Sequence, residues 1–87
     1  MKYSLEWTNV AAEDLWELWS SPHERRAVVE AVRLVEQLLA QNPLDERYEV
    51  VNGSGIVIRV PIGMDFLVDV AGRRVLITAV WPVSEGA

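Results

Sequence analysis

The stretch from Gly53 to Trp81, GSGIVIRVPIGMDFLVDVAGRRVLITAVW, limits the choice of fold more than any other part of the chain. Residues 56–61, 64–70 and 73–81 are runs rich in β-branched and apolar side chains, separated by glycine-bearing turns. That pattern specifies a three-stranded antiparallel meander. In the middle run Met64, Phe66, Val68 and Val70 alternate with Asp65, Leu67 and Asp69. Successive side chains of a strand point to opposite faces, so the even set belongs on a core and the carboxylates on an accessible face.

Register follows from keeping charge off the core, because a slip of one residue turns every side chain over. In the first run Ile56, Ile58 and Val60 are apolar and Arg59 is not. A three-residue loop, Pro61-Ile62-Gly63, then sets Arg59 across from Asp65. In the second hairpin an Ala71-Gly72 loop pairs Val68 with Val75 and Asp69 with Arg74. The accessible face is thereby expected to hold Val57, Arg59, Asp65, Leu67, Asp69, Arg74, Leu76, Thr78 and Val80. Cross-strand ion pairs on such a face are ordinarily solvated and stabilise by roughly 0.2–1 kcal/mol. The apolar residues among them, Val57, Leu67, Leu76 and Val80, are the candidate partner-binding set, since apolar side chains rimmed by ion pairs suit a protein interface.

The preceding segments supply a cover for the even face. Residues 2–7 alternate, with Tyr3, Leu5 and Trp7 on one side, and read as a half-buried strand. No hairpin turn follows, so its neighbour comes from later in the chain; the final run, apolar on both faces, is the expected one. Thr8 or Asn9 caps a helix to about Trp19 with Ala12, Leu15, Trp16 and Trp19 as its apolar stripe and Glu13, Asp14 and Glu17 toward water. Ser21, Pro22 and Glu24 form a capping box that opens a second helix. Val28, Ala31, Val32, Val35, Leu38 and Leu39 make its stripe, and Gln41-Asn42-Pro43 stops it, with Asn42 as a left-handed cap. A short edge strand at 48–51 enters the meander through Asn52-Gly53. The expected fold class is α+β: an antiparallel meander sheet with an N-terminal strand and an αα-hairpin on one face, in a single domain over 1–87.

Composition removes several function classes. A chain of 87 residues without cysteine has neither a disulfide framework nor a thiolate metal site. No apolar run reaches the ~18 residues that span a bilayer, and the start MKYSLEWTN has no signal-peptide core. A soluble cytoplasmic protein is expected. A net charge of −5 opposes direct binding of free nucleic acid. His23 is the only histidine, and a lone histidine supplies neither a metal set nor a triad. Arg25, Arg26 and Arg33 share their helix with Glu30 and Glu36, a pattern of a solvated charged face. There is no phosphate-binding loop, and no cofactor or metal is expected.

Three pieces, YSLEWTNVAAEDLWEL, RLVEQLLAQNP and IVIRVPIGMDFLVDVAGRRVLITAV, in the order strand, helix, helix, meander, resemble the RelE/ParE toxin superfamily over most of the chain. The resemblance implies a small toxin of a type II toxin–antitoxin module (a plasmid stabilisation protein), silenced by a cognate antitoxin. RelE-like members are mRNA interferases that cut messenger RNA on the ribosome with basic side chains and a C-terminal tyrosine or histidine; ParE-like members inhibit DNA gyrase. Carried over by position, Arg59 falls where basic catalytic residues often occur, and it is the candidate catalytic residue. The family's G-x-R motif meets Gly63-Met64-Asp65, so aspartate replaces the arginine, and Val68 stands in place of the motif's tyrosine. After Trp81 only PVSEGA remains, without the basic and aromatic tail. Cleavage through a ribose 2′-hydroxyl needs a base and a cation at the developing charge, and an Arg-to-Asp exchange reverses the sign there. The expectation is a toxin-family protein acting mainly through a protein partner, with ribonuclease activity weak or lost. An active ribosome-dependent endoribonuclease and a purely structural small α+β interaction domain are the alternatives, and the sequence leaves a homodimer open.

Overall fold

The computed structural model describes residues 2–20, 25–45 and 49–84. The elements are β1 (Ser4–Trp7), α1 (Asn9–Trp19), α2 (Arg25–Gln41), β2 (Glu49–Val51), β3 (Ser54–Arg59), β4 (Ile62–Asp69) and β5 (Arg74–Pro82). Thr8 is the N-cap of α1: its backbone is extended and its hydroxyl accepts the Ala11 N–H at 3.1 Å. The Ser21–Pro22–Glu24 capping box, His23 and Tyr48 lie outside the described residues. At the end of α2, Asn42 keeps a negative φ and its side chain accepts the Leu44 N–H at 3.3 Å, so an Asx turn stands where a left-handed cap was expected.

The five strands lie in the order β1-β5-β4-β3-β2, with β1 parallel to β5 and the other pairs antiparallel. The placing of residues 2–7 beside the last strand is therefore met, with Leu5 across from Val75 and Trp7 across from Ile77. Both helices cover one face of the sheet. Val28, Val35 and Leu39 of α2 and Ala11 of α1 meet Met64, Phe66, Val75 and Ile77 in a core where each is at most 1% exposed. Asn52 and Gly53 hold φ of 52° and 80° and close the β2–β3 hairpin as a tight turn with positive φ at both positions. The β4–β5 hairpin keeps the expected pairs Val68–Val75 and Asp69–Arg74, around a turn over residues 70–73 in which Arg73 has φ of 51°.

The β3–β4 hairpin departs from the expected register. Its turn is Val60-Pro61, joined by a cis peptide bond, in place of Pro61-Ile62-Gly63. Arg59 is consequently across from Ile62 and not Asp65, and Val57 is across from Met64. The parity of β3 is inverted: Gly55 and Val57 face the helices, while Ile56 and Ile58 are 45% and 52% exposed. The physical reason is Gly55. A Cβ built there would stand 2.6 Å from Cζ of Phe66 and 2.9 Å from a Val50 methyl, so the glycine leaves the space that the Phe66 ring fills. A second departure lies in β5. The β4–β5 ladder shifts between Asp65 and Phe66, which pair with Ala79 and Ile77, leaving Thr78 as an extra residue. Beyond this bulge Val80 turns inward, across from Met64, and is 4% exposed.

Helix α1 is rotated from its expected setting. Ala11, Leu15 and Leu18 pack on the core, while Trp16 is 63% and Trp19 38% exposed. Asp14, expected in water, is half-buried and its Oδ2 accepts the Val80 N–H at 3.3 Å. β1 pairs with β5 only as far as Ile77, whose carbonyl accepts the Thr8 N–H at 3.0 Å. The Asp14 carboxylate thus supplies the acceptor that β1 would have supplied had it continued, and a backbone donor in a partly buried place needs one.

Substituting Gly55 by alanine should destabilise the protein by about 1–3 kcal/mol through overpacking against Phe66. Val51→Ala, at an exposed site, should stay within about 0.5 kcal/mol of wild type. Urea denaturation measures both, and a Gly55→Ala protein as stable as wild type would refute the inverted register.

Candidate protein-binding face

The face of the sheet away from the helices is built from four cross-strand rows. The first is Ile58–Gly63–Trp81, the second Ile56–Asp65–Ala79, the third Ser54–Leu67–Leu76 with Glu6 of β1, and the fourth Asp69–Arg74 with Ser4. Ile56, Ile58 and Leu67 are each 44–52% exposed, so an apolar strip crosses β3 and β4 with a single carboxylate, Asp65, set in it. The Trp81 indole closes one end. A Cβ at Gly63 would lie 2.5 Å from the indole Cε2, so the ring lies over the bare glycine backbone of β4. Leu76, half-buried, and Leu67 flank a shallow depression of about 320 Å³ bounded by Glu6, Asp69 and Arg74.

At this end two carboxylates share one guanidinium. Arg74 Nη2 donates to Asp69 Oδ2 at 3.3 Å, and its Nη1 lies 4.0 Å from Glu6 Oε1. Asp69 also accepts the Gly72 N–H at 3.0 Å through Oδ1. That backbone N–H, followed by the Arg74 guanidinium, holds the Asp69 carboxyl below the usual aspartate range. All three side chains are about half exposed, so the cluster orders the turn over 70–73 and contributes little to stability.

Of the expected partner-binding set, Leu67 and Leu76 lie on this face. Val57 and Val80 do not: they are 7% and 4% exposed in the core, Val57 because of the Gly55 register and Val80 because of the bulge. Ile56 and Ile58 take their place, residues assigned to the core when β3 was read as following the parity of β4. Arg59 is exposed at the end of β3 next to the Val60-Pro61 turn, on the parity of the core residues Ile62 and Met64. Arg74 lies at the opposite end of β4 and on the other face. Across a strand of eight residues, at about 3.3 Å each, these two cations cannot converge on one phosphate. Among the described residues there is no group of three or more His, Asp or Glu placed to hold a metal ion. None of the helices there is long and apolar enough to cross a membrane.

No protein-family model matches this chain. No curated protein sequence matches it either. Solved structures do. The Mycobacterium tuberculosis RelBE2 toxin–antitoxin complex contains a chain that superposes with a TM-score of 0.76 at 20% identity, over 94% of this chain and 99% of that one. A mutant of the Escherichia coli toxin RelE in the free state gives 0.72 at 15% identity, over 100% and 88%. The chromosomal ParDE toxin–antitoxin system of Pseudomonas aeruginosa gives 0.59 at 26% identity, over 95% and 98%.

The Asp69 cluster has a pH signature. The folded carboxyl titrates below its unfolded value, so its contribution is present above the unfolded pKa and is lost as pH falls through the folded one. A side-chain carboxyl NMR titration should place the Asp69 midpoint below that of an unstructured aspartate. Arg74→Ala should move it upward without restoring it fully, because the Gly72 N–H remains; an unchanged midpoint would remove Arg74 as a cause.

Proposed function

We propose that this chain, which has the fold of the RelE/ParE toxins, is the toxin-family component of a type II toxin–antitoxin module and acts through a protein partner bound on the open face of its sheet. The observation that carries this reading is the strip Ile56, Ile58 and Leu67. Three large apolar side chains stand half in water on one contiguous face, rimmed by a cluster in which Glu6 and Asp69 share Arg74. Such a face gains free energy by losing water. Solved structures of like fold are toxin–antitoxin complexes, which supports an antitoxin as the partner.

Among the described residues the sheet does not bring a base and a cation together, which weighs against the ribonuclease alternative. Cleavage at a 2′-hydroxyl requires a base and a cation directed at the same phosphate. Asp65 faces outward in the middle of the apolar strip, Arg74 is engaged by two carboxylates, and Arg59 is remote from both. A net charge of −5 disfavours approach to a polyanion. These observations support a role through protein contacts, on the ribosome or on gyrase, over one in cutting RNA.

The direct test measures binding of a co-expressed antitoxin-type protein. Leu67→Glu keeps the strand and puts a charge into the strip, and should weaken binding by about 10- to 30-fold or more. Unchanged affinity would show that the open face is not the binding surface. In a ribosome-dependent cleavage assay the wild-type protein should be weakly active or inactive. Efficient cutting that disappears in Arg59→Ala would instead establish the enzyme and Arg59 as its catalytic residue.

A further inference from the structure

Asp65 is set inside the apolar strip without a counter-charge. It lies across from Ile56 on one side and Ala79 on the other, one row from Ile58 and Trp81 and one row from Leu67 and Leu76. The residue is half-buried, and among the described residues its carboxylate takes part in no ion pair and no side-chain hydrogen bond. Arg74 is on the same face but opposite Asp69, four residues along β4, about 13 Å away at the rise of a strand. It already meets Asp69 and Glu6. Arg59 stands at the end of β3 on the other parity. Among the described side chains of the four rows there are thus three carboxylates, Glu6, Asp65 and Asp69, and one guanidinium.

Water satisfies Asp65 while the strip is open. A partner that covers Ile56, Ile58 and Leu67 removes that water. An ionised carboxylate left dry and unpaired costs free energy comparable with what the adjoining apolar contacts return. A purely apolar partner is therefore rejected, and one that brings a cation to this point is accepted. A segment lying over the middle of a sheet has no strand edge to pair with, so its backbone hydrogen bonds must be internal, as in a helix. From the Ile58–Trp81 row to the Leu67–Leu76 row is again about 13 Å, which a helix covers in about eight residues. Asp65 is halfway. We propose that the partner of the open face is a helix that sets a lysine or arginine over Asp65, with an apolar residue one turn before it and another one turn after it. The proposal rests on the reading of the open face as the partner-binding surface and names the chemistry of the partner. The apolar residues supply water exclusion, and the ion pair supplies register and specificity.

A phage library tests this. It displays the exposed helix of a small three-helix bundle, with leucine one turn before and one turn after a randomised central position. Ile58→Ser/Leu67→Ser, which removes the apolar contact on either side of Asp65 without changing the charge, identifies the binders that use the strip. Selection on the wild type should enrich lysine and arginine at the centre, and selection on Asp65→Lys should enrich aspartate and glutamate. On the wild type, exchanging the selected cation for glutamate should weaken binding at least about 30-fold; on Asp65→Lys the same exchange should strengthen it. Asp65→Asn keeps the shape and loses the charge. It should bind the basic helix about 10-fold less tightly than wild type does, and a helix with leucine at the centre more tightly. Binders lost in Ile58→Ser/Leu67→Ser but without a basic preference would overturn this proposal and leave the open face as the binding surface. A basic preference that persists on Asp65→Asn would overturn it too, because Glu6 or Asp69 would then be its source. Binders indifferent to Ile58→Ser/Leu67→Ser, or no binders at all, would overturn the open-face reading and this proposal with it.

Discussion

Phe66 is fully buried on the central strand β4, and its ring fills the space left by the absent side chain of Gly55 on β3. Much else depends on this contact. It fixes the β3–β4 register, and that register decides which residues of β3 meet the helices. Large rings carry most of the apolar area in a small core, so a chain of 87 residues has little freedom to place its single phenylalanine elsewhere. Once Gly55 faces Phe66, Val57 is committed to the core and Ile56 and Ile58 to the surface. The exposed apolar strip is thus a by-product of packing on the other side of the sheet.

The parts legible in the sequence were those with one dominant local signal. The alternation of Met64, Phe66 and Val68 with Asp65 and Asp69 states the faces of β4, and Asn52-Gly53 states the turn between β2 and β3. The Asp69–Arg74 pair fixes the last hairpin because only one register matches the charges. The misread parts offered two apolar sets of nearly equal strength. Ile56, Ile58 and Val60 outweigh Gly55 and Val57 in hydrophobicity, and nothing local shows that a ring needs the glycine. The bulge at Thr78 leaves no mark in a run that is apolar at every second position on both sides of it. In α1 two stripes compete, Ala11–Leu15–Leu18 and Ala12–Trp16–Trp19, and bulk favours the one that stays outside. Gly55 against Phe66 was the signal that could have corrected the site: a glycine inside a strand usually marks a close approach.

The molecule therefore presents two apolar surfaces of different character. The sheet strip is flat, and beside it Glu6 and Asp69 share Arg74. The helical groove is concave and lined mainly by apolar side chains, with Arg33 and Glu36 of α2 beside them. A small protein with both has more contact surface than its own core demands, and its stability will vary with what is bound.

The Asp14 carboxylate also alters how copies of this sheet can add to one another. Open-ended growth by strand pairing needs two free edges per molecule. On the β5 side, β1 and then Asp14 occupy the backbone donors, and Tyr3 of the same side donates to the Ala40 carbonyl of α2 at 2.7 Å. The outer edges that remain are the four residues of β1 and the three of β2. Both outer strands are short, so either edge offers only a few backbone groups to a strand from another copy.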